Sequence, residues 1–141
     1  FRQTMFAEFE DMTHKAIEDG QVLTAEGMCE QYEALNAKYY GDAVEKDDTI
    51  KYEWARIPHF YNAFYVYKYA TGYSAATAIS NRILTEGEPA RDAYIEFLKT
   101  GESDYPIELL KIAGVDMSSP EPVRKAMQTF ESLLDEFEKL I

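Results

Sequence analysis

Glycine residues divide this chain into stretches whose apolar residues recur at the spacing of an α-helix. Gly20, Gly41, Gly101 and Gly114 each follow such a stretch, at the position where helices commonly end in a left-handed residue. Thr24 precedes the second stretch and can cap its first turn. Because this pattern continues along the chain while strand-like alternation is short, we predict an all-α multi-helix bundle of about six helices with no sheet.

The final stretch, residues 120–141, has the clearest amphipathic pattern. Its apolar residues are spaced three and four apart over five turns: Val123, Met127, Phe130, Leu134, Phe137 and Ile141. Such a face serves either partner binding or core packing. Every other helix also needs a partner surface for its apolar side, so we favour core packing.

Length and charge restrict the function classes. The 141 residues suit one helical unit, 1–141, and the net charge of −12, from 26 acidic and 14 basic residues, repels phosphate backbones and anionic lipids. Nucleic acid and membranes are therefore not expected as partners. With Cys29 as the only cysteine, no internal disulfide is possible, and we expect a cytoplasmic protein.

The segment HFYNAFYVYKYATGY, residues 59–73, concentrates the candidate chemistry. Pro58 suits a helix start, so we predict one long aromatic helix from near 58 to 84, with Tyr61, Tyr65, Tyr69 and Tyr73 as one stripe. A phenol with a pKa of about 10 stays protonated at neutral pH and can donate a hydrogen bond to a developing oxyanion. The alternative is core aromatics with their hydroxyls at the rim. The residues alone leave both interpretations open.

Metal and nucleophile motifs are weak in this sequence. Asp11, His14 and Glu18 share a helix face, but catalytic zinc usually needs two or three nitrogen or sulfur ligands, so we interpret them as a solvated acidic face. Cys29 has no basic neighbour to lower its pKa. The sequence contains no H-E-x-x-H and no other complete catalytic motif. We therefore expect no metal ligands in this chain.

Four blocks of the sequence resemble a known family. They are RQTMFAEFE at 2–10, YYGDAV at 39–44, EWARIPHFYNAFYVYKYATGYSAA at 53–76 and GESDYPIELLKIAGVDM at 101–117. In this order they resemble the C-terminal part of oligoendopeptidase F, a family of zinc metallopeptidases related to thimet oligopeptidase. The resemblance covers essentially the whole chain.

The resemblance implies a helical metallopeptidase that cleaves internal bonds of short peptides inside a deep channel. In that family an H-E-x-x-H motif and a downstream glutamate hold the zinc, upstream of the part that this chain resembles. The resemblance therefore implies a C-terminal fragment of a larger catalytic domain, with zinc in the parent enzyme only. Its partners would be a short peptide substrate and the missing N-terminal part, and the fragment alone would be inactive.

The resemblance also assigns roles within the aromatic segment. His59 matches a family histidine that contacts substrate, and Tyr65 is the best match for the oxyanion-stabilising tyrosine, with Tyr61 and Tyr67 as competitors. We therefore expect His59 and Tyr65 to be catalytic, and Tyr61, Tyr67 and Tyr69 to bind substrate.

Two further expectations concern neighbouring surfaces. Arg56 lies three residues after Glu53, and we expect the two to form an ion pair on one helix turn. An apolar channel face exposed in a fragment is expected to drive self-association. The alternative function is a non-catalytic helical module that binds peptides or other proteins.

Overall fold

The computed structural model describes residues 1–45 and 47–141, and these residues form helices and no strand. The α-helices are α1 Arg2–Glu18, α2 Ala25–Tyr40, α3 Tyr67–Glu86, α4 Glu88–Lys99, α5 Pro106–Ile112 and α6 Glu121–Glu138. Two 3₁₀ helices cover Ile50–Arg56 and Pro58–Tyr61. The prediction of an all-α fold is confirmed. None of the helices described is both long and apolar enough to span a bilayer.

The end of α1 and both ends of α2 lie at the capping and glycine residues that the sequence predicted. Thr24 Oγ1 accepts a hydrogen bond from the amide of Gly27 at 3.1 Å and so caps α2. Gly20 has φ 75° and follows the end of α1, and Gly41 has φ 57° and ends α2. Both are left-handed conformations that glycine adopts without a steric penalty from Cβ. Local chemistry therefore sets these boundaries.

Residues 1–70 form a compact unit around an aromatic core. The core residues are Met5, Phe6, Phe9, Tyr32, Leu35, Ile57 and Val66. Phe9 lies near the centre, with its ring centroid 5.2 Å from that of Tyr32 and 5.4 Å from that of Phe60. Edge-on and tilted ring pairs of this kind add to the stabilisation from burial. The core thus connects α1 and α2 to the second 3₁₀ helix.

Residues 71–141 form a second compact unit with a core of small residues. Ala75, Ala78 and Ile79 of α3 pack with Ala113 and Val115, which follow α5. Small side chains allow the backbone segments to approach closely. That residues 1–141 act as one helical unit stays a prediction.

The long aromatic helix begins later than predicted. Pro58 opens a 3₁₀ helix that ends at Tyr61, and α3 starts only at Tyr67. Phe60 and Val66 both pack in the first core, but residues six apart on one α-helix point about 120° away from each other. The chain therefore leaves the helical path between them, so that Val66 is buried and the partly buried Phe60 packs against the same core.

The apolar face of α6 is exposed, contrary to the prediction of core packing. Each residue of the predicted stripe is at least 41% exposed: Val123, Met127, Phe130, Leu134, Phe137 and Ile141. The face that packs within the unit instead presents Ala126 and Pro122, and Thr129 accepts a hydrogen bond from Asn81 of α3 at 3.1 Å. Periodicity identifies an apolar face, but it does not specify that this chain supplies the surface that covers it.

Candidate functional site

The candidate site lies where the chain passes from the second 3₁₀ helix into α3. Pro58 stands in the first turn of that 3₁₀ helix, and Phe60 packs on Phe6 and Phe9 with ring-centroid distances of 5.6 and 5.4 Å. Val66, fully buried, fixes the other end of the segment. His59 therefore stands on a short element whose neighbouring side chains anchor it in the core.

Three aromatic rings converge at this site. The His59 ring stacks on Tyr65 at a centroid distance of 5.7 Å and meets Tyr69 edge-on at 5.6 Å. Tyr65 and Tyr69 lie 5.8 Å apart. Both tyrosines remain at least two-fifths exposed, and His59 is half-buried. We call His59, Tyr65 and Tyr69 the ring cluster.

Hydrogen bonds connect the members of the ring cluster. Tyr69 Oη lies 3.3 Å from His59 Nε2. A hydrogen bond with Tyr65 raises the pKa of the Tyr69 hydroxyl above its ordinary value, with a smaller contribution from desolvation. Tyr69 therefore keeps its proton at neutral pH. Lys68 Nζ lies 4.9 Å from the centroid of the Tyr65 ring and adds a cation–π contact.

The other predicted tyrosines occupy different positions. Tyr61 is 78% exposed, and its hydroxyl donates to the carbonyl of Ala55 at 3.2 Å. Tyr67 is the first residue of α3. The predicted stripe through Tyr61, Tyr65, Tyr69 and Tyr73 does not form, because the first two precede α3. The proximity of Tyr65 to Tyr69 instead comes from the turn that leads into the helix.

A buried carboxylate lies behind the site. Glu53 Oε1 accepts a hydrogen bond from Arg2 at 2.6 Å and another from Arg56, while Oε2 accepts one from the Tyr32 hydroxyl at 2.7 Å. The predicted pair of Glu53 and Arg56 is confirmed. No sequence pattern indicated that Arg2 and Tyr32 would contact Glu53, because they lie 51 and 21 residues away from it. This network holds the first 3₁₀ helix against α1 and α2.

A cavity of about 520 Å³ adjoins α2 in the first unit. Its lining includes Arg2, Tyr40, Val44 and Ile50. The described residues that line it include none of the five predicted site residues. The cavity therefore gives the ring cluster no enclosed pocket.

The described residues offer no metal site. Among residues 1–45 and 47–141, no group of three histidine, cysteine, aspartate or glutamate side chains is placed to hold a metal ion. The ring of His14 instead contacts the ring of Phe64, with a centroid distance of 4.4 Å. The side chains present here do not fit the zinc that the resemblance implies.

Comparison with protein families matches residues 1–129 to peptidase family M3. The chain belongs to peptidase family M3. It is 57% identical over its whole length to oligopeptidase PepF of Bacillus subtilis, and 48% identical to group B oligopeptidase PepB of Streptococcus agalactiae. It is also 48% identical to a plasmid-encoded oligoendopeptidase F of Lactococcus lactis. The resemblance to the oligoendopeptidase F family is therefore confirmed.

This M3 chain is much shorter than those relatives. Its 141 aligned residues span 21% of the Bacillus protein and 24% of each of the other two. No solved structure matches the chain. The position of the chain at the C-terminal end of a larger catalytic domain stays a prediction.

Proposed function

We propose that this chain is part of a zinc metallopeptidase that hydrolyses internal peptide bonds of short oligopeptides in the cytoplasm. In this proposal the ring cluster forms part of the substrate site, with His59 and Tyr65 as catalytic residues. The observation that carries it is the convergence of one imidazole and two phenols at an exposed site in a chain of family M3. The oligopeptidase and oligoendopeptidase names of its relatives support the choice of substrate.

The chemistry of the ring cluster suits the binding of a peptide carbonyl. As peptide-bond hydrolysis begins, negative charge develops on the carbonyl oxygen, and a hydrogen-bond donor already in place stabilises it. Tyr65 Oη is our proposed donor. Tyr61, Tyr67 and Tyr69 are proposed to contact the substrate, and His59 to donate to it or orient it.

Tyr65 is preferred over Tyr69 as the oxyanion donor because the sequence resemblance matches Tyr65 to the oxyanion-stabilising tyrosine of the family. Tyr65 and Tyr69 share a hydrogen bond, and Tyr69 Oη lies 3.3 Å from His59 Nε2. A hydroxyl that accepts a hydrogen bond is itself a stronger donor. Contacts within the ring cluster would therefore strengthen donation to a substrate carbonyl.

The zinc is proposed to be held by another part of the enzyme, since the described residues do not fit it. When bound, such a metal would lower the pKa of a water molecule and so supply the nucleophile. The roles of His59 and Tyr65 require only that a peptide carbonyl lies beside them. The roles of these two residues can therefore be tested by substitutions in this segment of the full-length enzyme, which leave the metal ligands unaltered.

The test is Tyr65→Phe in the full-length enzyme, assayed with an internally quenched oligopeptide. Removing an oxyanion donor is expected to lower kcat by about 10² or more while KM and zinc content change little. Tyr105→Phe, at an 80% exposed tyrosine of the second unit, is the matched control and should retain wild-type kcat. An unchanged kcat for Tyr65→Phe would remove that residue from the role.

The same assay tests the alternative function. If the full-length protein binds oligopeptides but never cleaves them, a non-catalytic peptide-binding module is the better description. In that case Tyr65→Phe should weaken peptide binding, because the hydroxyl would contact the ground-state carbonyl.

A further inference from the structure

Phe64 has an unusual backbone conformation next to the ring cluster. With φ 54°, it is the one non-glycine residue with a positive φ in the described chain. For a bulky side chain this region is sterically unfavourable, and it persists only where surrounding contacts enforce it. Phe64 directly precedes Tyr65, so its conformation determines where the Tyr65 side chain leaves the backbone.

Glu10 supplies a contact that enforces this conformation. Its Oε1 accepts a hydrogen bond from the Phe64 amide at 2.7 Å, across 54 residues of sequence. Glu10 lies on α1 and is 5% exposed. A buried carboxylate needs donors, and hydrogen bonds to an ionised acceptor are stronger than those between neutral groups.

From these contacts we propose that Glu10 is a positioning residue for the ring cluster. By holding the Phe64 amide, it keeps the turn between Asn62 and Val66 in the shape that stacks Tyr65 on His59. This inference rests on the proposed function of Tyr65. It extends that function to a residue of α1 that the sequence resemblance did not single out.

The anchoring of the turn on both sides makes the role of Glu10 specific. Phe60 and Val66 hold the ends of the turn in the core, and the Tyr65 amide donates to the carbonyl of Asn62 at 3.2 Å. Without the Glu10 acceptor, the Phe64 amide loses this partner and φ can return to negative values. The expected result is a local rotation of residues 63–65, with Tyr65 displaced from His59.

The test compares two replacements of Glu10 in the full-length enzyme. Glu10→Gln keeps an acceptor oxygen in place and should retain kcat within about threefold, because the side chain can still accept the hydrogen bond from the Phe64 amide. Glu10→Leu has similar size but no acceptor, and kcat should fall by about 10- to 100-fold with KM nearly constant, as for a misplaced catalytic group. Equal kcat values for the two variants would overturn the proposal.

A double-mutant cycle separates positioning from general damage. In a Tyr65→Phe background, Glu10→Leu should cost little more, because both changes act on the same hydroxyl. Additive losses would show that Glu10 does not act through Tyr65. Adding Phe64→Gly to Glu10→Leu should restore part of kcat, since glycine adopts the left-handed conformation without strain.

A structural measurement distinguishes failure of this inference from failure of the proposed function. A crystal structure of the Glu10→Leu enzyme should show Phe64 with negative φ and Tyr65 displaced from His59. An unchanged turn would overturn the inference whatever the activity. A displaced turn, combined with wild-type kcat for Tyr65→Phe, would support the positioning and reject the catalytic role of Tyr65.

Discussion

Replacing Tyr32 with phenylalanine removes a single hydroxyl from a buried ion network. Tyr32 is 0% exposed, and its hydroxyl donates to Glu53 Oε2 at 2.7 Å. The other carboxylate oxygen of Glu53 receives Arg2 and Arg56. Tyr32→Phe therefore leaves the ring packing intact and deprives one buried carboxylate oxygen of this donor.

The magnitude follows from the charge and burial of the acceptor. A hydrogen bond to an ionised group contributes about 1.5–3 kcal/mol, and no cavity forms, so we expect Tyr32→Phe to lower the free energy of unfolding by about 2 kcal/mol. Arg56→Ala should cost less, at most about 1 kcal/mol, because the Arg56 side chain is 71% exposed and water screens its pair.

The cost of Tyr32→Phe should also depend on pH. Burial by itself raises the pKa of Glu53, but hydrogen bonds from Arg2 and Tyr32 outweigh it and hold that pKa below its ordinary value. A carboxylate with a lowered folded-state pKa contributes stability that is complete above its unfolded-state pKa and is lost as pH falls through the folded-state value. The penalty should therefore be full at about pH 7 and smaller at about pH 4.

Urea unfolding followed by Trp54 fluorescence provides the assay. Trp54 is the only tryptophan, it adjoins Glu53, and its indole nitrogen donates to Cys29 Sγ at 3.4 Å. Tyr39→Phe is the matched control, since Tyr39 donates at 2.8 Å to Glu8, whose side chain is 33% exposed. A Tyr32→Phe cost no larger than that of Tyr39→Phe, or one equal at both pH values, would refute this reasoning.

Three further perturbations test other parts of the chain. Thr24→Ala should destabilise α2 by about 1 kcal/mol in urea unfolding, whereas Thr24→Ser should cost much less because it keeps the capping oxygen. Gly114→Ala should lower the melting temperature more than Gly87→Ala. Both glycines have positive φ, but a Cβ at 114 would lie 1.5 Å from Arg82 Nη1 and displace it from its hydrogen bond to the Ala113 carbonyl, whereas a Cβ at 87 would meet no atom. Equal shifts would contradict the steric argument. The isolated chain should self-associate through the exposed apolar face of α6. In sedimentation velocity, Leu134→Glu should reduce this association. A wild-type chain that stays monomeric at all concentrations would argue against self-association through α6.

Local sequence determined the fold class and most helix ends. Thr24 can cap a helix because its hydroxyl reaches an amide three residues away, and Gly20 ends one because it lacks a Cβ. The pair of Glu53 and Arg56 was predictable for the same reason, since its partners are three residues apart. Each of these features depends on interactions within about one helical turn.

Only the tertiary structure decided the shape of the candidate site. The sequence identified His59, Tyr65 and Tyr69 as candidates, but a continuous helix would have placed Tyr65 and Tyr69 in a stripe without the turn that forms the ring cluster. That turn lies between Phe60 and Val66, which both pack in one core, and within it the Phe64 amide donates a hydrogen bond to Glu10 of α1. Only the tertiary structure likewise decided that the apolar face of α6 is exposed. Helical periodicity records which side of a segment is apolar, whereas the surface that meets it depends on residues distant in sequence.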